Sequence, residues 1–172
     1  MSNKTITSIY GEYKIIFLDE AHAREIAKWQ YPSPYDFYNF HDNDETVKEL
    51  LEESYYSVFD EQEELIGYLC FGSSARITTC EGFIFSDTAL DIGLGMKPEL
   101  CGKGLGLDFL YAGLAFAKSN LLGHKTNFRL SVAQFNERAI KLYSKAGFTL
   151  HQTVTHKSLN MPFYIMLRDT NI

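Results

Sequence analysis

The segment 101–106 carries the clearest chemical signal in the sequence. It places glycine at every second position, directly after an alternating strand pattern at 89–96 and directly before a helical pattern that begins at Leu105. Residues without a Cβ let several backbone N–H groups surround one anion, and the amino end of a helix adds a partial positive charge. Lys103 supplies a full charge. The pattern predicts a phosphate- or pyrophosphate-binding loop, and a tight turn without a ligand is the alternative that these residues leave open.

Two better-known phosphate motifs do not fit the same segment. No Lys-Ser or Lys-Thr follows its last glycine, as a P-loop requires, and its glycines lack the G-x-G-x-x-G spacing of a dinucleotide-binding fold. The anion is therefore expected to belong to another class of ligand.

A second pattern occupies residues 136–148. Asn136 stands between a predicted strand and a predicted helix, and Tyr143 follows seven residues later, two turns along the same helix face. Taken alone, Asn136 is equally explained as a helix N-cap. Tyr143 shares its stripe with Ala139 and Ala146, so core packing explains it as well.

Together the two patterns resemble the GNAT N-acetyltransferase superfamily, whose members transfer an acetyl group from acetyl-CoA to an amine. The pyrophosphate loop of that family reads Q/R-x-x-G-x-G/A, which residues 101–106 match except at the first position, where Cys101 stands. The family helix N-x-x-A-x-x-x-Y-x-x-x-G-F is matched at Asn136, Ala139, Tyr143, Gly147 and Phe148. The order of predicted elements also agrees from about residue 13 to residue 168, nearly the whole chain.

This resemblance implies a site for acetyl-CoA as the acetyl donor. The backbone of Leu94, Gly95 and Met96 would hydrogen-bond the pantetheine arm where two strands splay apart, and Asn136 would contact that arm or brace the splayed strand. The pyrophosphate would lie against the backbone of Gly102, Lys103, Gly104, Leu105, Gly106 and Leu107. Tyr143 would be catalytic and would protonate the departing CoA thiolate, since a phenol pKa of about 10 and a thiol pKa of about 8.5 permit that transfer.

The sequence departs from the family at two positions. Cys101 replaces the usual Gln or Arg of the loop, although the backbone cradle does not depend on that side chain. Some relatives use a Glu as general base where this chain has Ser131. Asp91, Glu81 and a chain of waters are the candidates to accept the amine proton, and the sequence favours none of them.

An aromatic segment after the first predicted helix could form the acceptor site. Trp29, Tyr31, Tyr35 and Tyr38 could wall it, and the acidic run 41–45 follows. Aromatic faces attract cations, so we expect a cationic amine such as a polyamine-like molecule, an amino sugar or a basic peptide terminus. Packing of the helices onto the sheet is the alternative explanation for the same rings.

Hydrophobic periodicity predicts the scaffold that would position these residues. Strands are expected at 13–18, 55–59, 65–71, 89–96, 128–132, 149–156 and 163–167. Helices are expected at 19–29 with Asp19 as N-cap, after the N-cap Asp44 with Val47, Leu50 and Leu51 inward, at 105–119 and at 136–146. In the strand at 89–96, Gly93 and Gly95 leave one face bare, where a ligand or another backbone can approach closely. This order predicts an α/β fold in one domain over residues 1–172, with a core at about 13–168. The resemblance implies a mixed, mostly antiparallel central sheet flanked by helices, with splayed strands at the CoA site.

Composition limits the class of partner. The chain has 172 residues, 45% of them hydrophobic, and a net charge of −6 with a pI near 5.3, which disfavours nucleic-acid binding. Residues 1–100 carry 7 basic and 19 acidic side chains, whereas residues 101–172 carry 9 basic and 3 acidic ones. The basic part contains the loop expected to face phosphates, and the acidic part contains the segment expected to face an amine.

Other classes of protein are disfavoured by what the sequence lacks. Residues 1–10 have no apolar signal core, and the apolar stretch 109–117 is too short to cross a membrane. The three cysteines have no C-x-x-C spacing and the five histidines are scattered, so we expect no metal. The expectation is a cytoplasmic protein, a monomer or a homodimer, without a membrane or nucleic-acid partner.

Three functional hypotheses follow. The first is an acetyl-CoA-dependent N-acetyltransferase in which the amine attacks directly in a ternary complex. The second is a non-catalytic acyl-CoA-binding sensor or regulatory protein, which the replacement by Cys101 and the missing Glu make possible. In the third, the aromatic segment is a protein-interaction surface.

Overall fold

The computed structural model describes residues 8–171, and this range contains eight strands and four α-helices. The strands are β1 (Ser8–Tyr10), β2 (Tyr13–Phe17), β3 (Tyr55–Phe59), β4 (Leu65–Phe71), β5 (Ala89–Met96), β6 (Asn127–Ala133), β7 (Thr149–His156) and β8 (Met161–Asp169). The helices are α1 (Glu20–Ala27), α2 (Asp44–Glu52), α3 (Gly106–Asn120) and α4 (Glu137–Lys145). Among the strand pairs described, only β5 with β6 is parallel, so the predicted α/β fold with a mostly antiparallel sheet flanked by helices is confirmed.

The chain divides into two compact units, and β5 begins in the second and ends in the first. The first unit comprises Met1–Cys70 and Leu94–Ala112. Its strands β1, β2, β3 and β4 pair antiparallel in chain order. The carboxyl end of β5 is tied to β4, because the Lys97 N–H donates to the Ile66 carbonyl at 2.8 Å.

The helices α1 and α2 pack on this unit through a buried apolar cluster. Its members are Leu18, Ala23, Ile26, Ala27, Trp29, Val47, Leu50, Phe59 and Leu65. Three-to-four-residue spacing brings one face of each helix inward, which is why Val47 and Leu50 are buried. Leu51 was expected to be buried as well, and this prediction is wrong: four residues after Val47, its side chain lies at the edge of that face and is 40% exposed.

The second unit comprises Phe71–Gly93 and Gly113–Ile172. In it β6 pairs antiparallel with β8 as far as Ala133, and β8 pairs antiparallel with β7. The parallel register of β5 with β6 covers three residue pairs and stops at Asp91 and Arg129. The pairing of β5 with β6 therefore covers only part of either strand.

Side-chain caps fix the helix starts. The Asp19 carboxylate accepts from the His22 N–H at 2.9 Å, as the sequence predicts for α1. For α2 the predicted cap, Asp44, is wrong, because the Asn43 side chain accepts from the Thr46 N–H at 2.8 Å and Asp44 is the first helical residue. Both residue types cap helices well, so local sequence does not discriminate between neighbours.

One strand escapes sequence analysis altogether. Strand β1 precedes the strand predicted at 13–18 and joins it through a turn in which Gly11 has a φ of 58°. Three residues are too few to show an alternating pattern, so only the pairing with β2 reveals the strand. The expectation that residues 1–10 form no signal sequence falls mostly outside the described range.

A side chain from the neighbouring strand explains why residue 95 is a glycine. Its bare face predicted a close approach by a ligand or a backbone, and the structure places the Tyr68 ring there. A Cβ on Gly95 would lie 2.3 Å from the Tyr68 Cε1 atom. The ring has little freedom to withdraw, because ring-to-ring centroid distances of 6.2 Å to Trp29, 5.8 Å to Phe40 and 5.8 Å to Tyr55 enclose it.

The variant Gly95→Ala should therefore lower the free energy of unfolding by about 1–3 kcal/mol, the usual cost of overpacking. In a Tyr68→Ala background the same substitution should cost much less, because the obstructing ring is gone. Urea unfolding of the four proteins measures this difference. Equal costs in both backgrounds would show that the ring does not require the glycine.

Candidate functional site

The segment predicted to bind an anion forms an exposed loop between β5 and α3. Gly102 and Gly104 have φ angles of 77° and 80°, in the left-handed region that favours glycine. A Cβ on Gly104 would meet no atom within 4 Å, so the space above the backbone is open. The loop leads into the 15-residue helix α3, and Lys103 is exposed beside it. Backbone, helix end and lysine thus fit a pyrophosphate.

Cys101, at the first position of the loop, points back toward the end of β5. Its Sγ atom lies 3.7 Å from the Met96 carbonyl oxygen and 3.7 Å from the Lys97 carbonyl oxygen, and the side chain is half-buried. The thiol therefore braces the base of the loop, where the family has Gln or Arg.

The predicted acceptor residues have different environments. Trp29 is buried and packs on Tyr68, whereas Tyr31 and Tyr35 are half-buried and Tyr38 is 36% exposed. The Tyr31 hydroxyl donates to the Met96 carbonyl oxygen at 2.7 Å, so it reaches the end of β5. Within this first unit, Tyr31 and Cys101 therefore both contact Met96, which is one of the residues predicted to bind the acetyl donor.

Sequence reasoning missed two aromatic residues beside this segment, Tyr55 and Tyr68. They lie on β3 and β4, where Tyr55 pairs with Cys70, so Tyr55 and Tyr68 are diagonal neighbours. Burial raises the pKa of both phenols, so they stay protonated at neutral pH. Tyr68 contacts Trp29 and Phe40, and Tyr55 contacts Phe40, and these contacts join residues too far apart in the chain for the sequence to indicate.

The predicted acidic run is exposed and partly engaged. All five residues at 41–45 are exposed, Asn43 caps α2, and the Asp44 carboxylate pairs with Arg24 at 2.9 Å. The other two acidic residues of the run, Asp42 and Glu45, also have exposed carboxylates.

In the second unit, Asn136 and Tyr143 lie on α4 as predicted. The Asn136 side chain is 8% exposed and caps the helix by accepting from the Ala139 N–H at 3.2 Å. Tyr143 is half-buried, and its ring meets that of Phe148 edge-on at 6.1 Å. The N-cap is therefore observed, whereas the ligand contact of Asn136 and the catalytic role of Tyr143 stay predictions.

Both carboxylates considered as the general base are engaged by other groups of the second unit. Asp91 is buried and accepts from Arg129 at 2.6 and 2.7 Å and from Arg76 at 2.9 Å. Glu81 accepts from the Thr155 N–H at 2.9 Å, and this bond lowers the pKa of Glu81. A hydrogen bond to the charged form weakens Glu81 as a proton acceptor, and the carboxylate oxygens of Asp91 are occupied by the two arginines.

The Asp91 cluster also anchors the irregular segment that precedes β5. Arg129 donates to the Ser86 carbonyl at 3.1 Å. The Phe85 ring lies 5.0 Å from the Arg129 guanidinium and 5.5 Å from that of Arg76. Two cations, one carboxylate and an aromatic face thus fix residues that carry no regular secondary structure.

Residues 8–171 contain no group of three His, Cys, Asp or Glu side chains that could hold a metal ion. None of their helices has both the length and the apolar surface that a transmembrane segment requires.

Comparisons with known proteins agree with the geometry. The model of the acetyltransferase (GNAT) family matches residues 21–148, whereas no curated protein matches. A GNAT-family acetyltransferase from Bacillus anthracis has a TM-score of 0.74 at 13% identity, covering 97% of this chain and 100% of its own. The spermidine/spermine N-acetyltransferase SpeG from Vibrio cholerae, crystallised with manganese ions, has a TM-score of 0.67 at 17% identity, and the match covers 93% of this chain and 94% of the SpeG chain. The ribosomal-protein-S5-alanine acetyltransferase from Vibrio fischeri has a TM-score of 0.63 at 14% identity, and the match covers 96% of this chain and 97% of its own. At these identities the structural likeness shows the fold.

The variant Asp91→Asn should lower the free energy of unfolding by about 3 kcal/mol, because it leaves the buried Arg129 guanidinium without a carboxylate. The matched control is Asp87→Asn, whose exposed carboxylate pairs with His124 and Lys125 and whose loss should leave the free energy of unfolding nearly unchanged, because solvent screens these pairs. Urea unfolding compares the two variants. Similar small losses in both would contradict an anchoring role for Asp91.

Proposed function

The chain belongs to the acetyltransferase (GNAT) family, and from this premise we propose that it transfers an acetyl group from acetyl-CoA to a primary amine by direct attack in a ternary complex. The observation that carries the proposal is the open glycine loop at the start of α3, which fits the pyrophosphate of the family's acetyl donor. No covalent acyl-enzyme is needed, so Cys101 has no nucleophilic role.

Acetyl-CoA supplies the acetyl group as a thioester. We assign its pyrophosphate to the backbone N–H groups of Gly102–Leu107, with Lys103 as the nearby cation. We assign its pantetheine arm to the backbone of Leu94 and Met96. Support comes from the direction of β5, because residues of a strand alternate in the side to which their N–H and C=O groups point. The Lys97 N–H points at β4, so those of Leu94 and Met96 point away from it.

Tyr143 acts as the general acid in this proposal. As the carbon–sulfur bond breaks, its phenolic hydroxyl gives a proton to the departing sulfur, and solvent returns a proton to the phenol. The Asn136 cap fixes the first turn of the helix that carries Tyr143. These two roles rest on the family pattern.

The proton lost by the attacking amine passes to water. Asp91 is held by two arginines and Glu81 by a backbone amide, which removes the reason to choose either carboxylate. A chain of waters, the third of the original candidates, therefore carries the proton to bulk solvent.

We propose a cationic amine as the acceptor, either a small molecule or an amine of a peptide. The exposed ring of Tyr38, the half-buried ring of Tyr35 and the carboxylates of Asp42 and Glu45 offer the aromatic faces and negative charge that attract a cation. Burial of Trp29 gives that residue a supporting position. The named substrates of the Vibrio cholerae neighbour, spermidine and spermine, belong to the same chemical class.

A non-catalytic acyl-CoA sensor is the second candidate. Two observations favour it. Both carboxylates that were candidates for the general base already accept hydrogen bonds within the protein, and Cys101 stands where the family loop has Gln or Arg. A sensor would need the donor loop but neither a base nor Tyr143 as an acid.

Release of free thiol from acetyl-CoA tests the proposal against this alternative. We expect turnover with 1,4-diaminobutane and much less with 4-aminobutyrate, which has the same chain length but a carboxylate in place of the second amine. Turnover confined to acceptors with neutral or anionic ends would contradict a cationic acceptor. Stabilisation of the protein by CoA without thiol release for any amine would support the sensor.

The variant Tyr143→Phe should lower kcat about 100-fold, in the range typical for loss of a general acid, while CoA affinity is retained. Tyr111→Phe, which removes an exposed hydroxyl from α3, is the control and should leave kcat unchanged. Steady-state kinetics and calorimetric CoA titration make the comparison. An unchanged rate in Tyr143→Phe would remove the residue from the mechanism.

A further inference from the structure

Tyr31 lies in the aromatic segment predicted to bind the acceptor, yet its hydroxyl donates to Met96, which is 65 residues away in the chain. We propose that Tyr31 is a positioning residue of the donor site: its hydroxyl holds the Met96 carbonyl, and with it the strand end from which the anion-binding loop departs. The inference rests on the proposed function, because it presupposes that this loop and strand bind CoA.

The direction of the β5 backbone places the Tyr31 hydroxyl on the donor edge. The Lys97 N–H bonds to β4, and the Gly95 carbonyl oxygen would lie 2.6 Å from a Cβ built on Gly67, so the polar groups of these alternate residues face β4. The Met96 carbonyl faces the opposite way and there meets Tyr31. That edge is the one assigned to the pantetheine arm.

The peptide between Met96 and Lys97 is the base of the loop, and several contacts hold it. The Lys97 carbonyl accepts from the Leu100 N–H at 2.9 Å, which starts the turn into the loop. The Lys97 ammonium pairs with Glu25 of α1 at 3.3 Å. A rotation of this peptide would therefore be transmitted to the loop that begins a few residues later.

Of the two donors described at the Met96 carbonyl, the Tyr31 hydroxyl makes the stronger hydrogen bond. The other donor is the Cys101 thiol at 3.7 Å, and a thiol is a weak hydrogen-bond donor. Because the contact from the thiol is long and weak, the phenol of Tyr31 is the principal hydrogen-bond donor to this carbonyl.

Tyr31 is itself held in place. Its N–H donates to the Asn39 side-chain oxygen at 2.7 Å, and the Asn39 amide donates to the Gln30 side chain at 3.0 Å, which closes the segment onto itself. Burial, helped by the neighbouring Cys101 and Glu99, raises the pKa of Tyr31. The phenol therefore stays protonated and remains a donor across the neutral pH range.

The variant Tyr31→Phe keeps the ring and removes only the hydroxyl. We expect it to weaken CoA binding about fivefold, the effect of one hydrogen bond. Calorimetric titration with CoA measures this without any acceptor. In turnover, KM for acetyl-CoA should rise by the same factor, whereas KM for the amine should stay unchanged. Tyr111→Phe is the matched control and should leave the CoA affinity and both KM values unchanged.

Two results would overturn the inference. Unchanged CoA affinity with a raised KM for the amine would return Tyr31 to the acceptor wall. Parallel changes in both KM values together with a lowered unfolding midpoint would show general loosening of the segment. Failure of the proposed function looks different: if no amine is acetylated but CoA binds, the weaker binding by Tyr31→Phe still supports the inference. A wild-type protein that does not bind CoA would overturn both.

Discussion

The peptide that joins Met96 to Lys97 is the constraint on which the functional region of the first unit depends. Its N–H, from Lys97, bonds to β4, and its carbonyl oxygen, from Met96, accepts from the Tyr31 hydroxyl and lies 3.7 Å from the Cys101 thiol. A buried or half-buried carbonyl without a donor costs about 1–3 kcal/mol, so each of these partners has a physical reason to be present. One rigid peptide thus connects the aromatic segment with the base of the glycine loop.

The sequence predicted those elements whose limits are local. The pattern of β5, bounded by Pro98, and that of β7, which follows the turn at Gly147, agree with the structure to the residue. The glycine has a φ of 88°, which few other residues adopt, so the end of α4 is marked in the sequence. Strand β1 was missed because its three residues show no period and depend on pairing with β2.

The candidate site was predictable only in part, for the same reason. The loop at 101–106 was found because its glycines, its lysine and its place before a helix are adjacent in sequence. The position of Tyr68 on Gly95 and the bond from Tyr31 to Met96 depend on contacts between residues far apart in the chain. Aromatic composition suggested a site but could not show that the Tyr31 hydroxyl bonds to the end of β5.

The most direct test of the donor site is the rate at which iodoacetamide alkylates the three cysteines, followed by mass spectrometry with and without CoA. Cys101 is half-buried at the base of the loop, Cys80 is exposed and Cys70 is buried, so the last two are internal controls. The donor assignment predicts that CoA slows alkylation of Cys101 severalfold and leaves the rate at Cys80 unchanged. Equal rates at Cys101 with and without saturating CoA would contradict it.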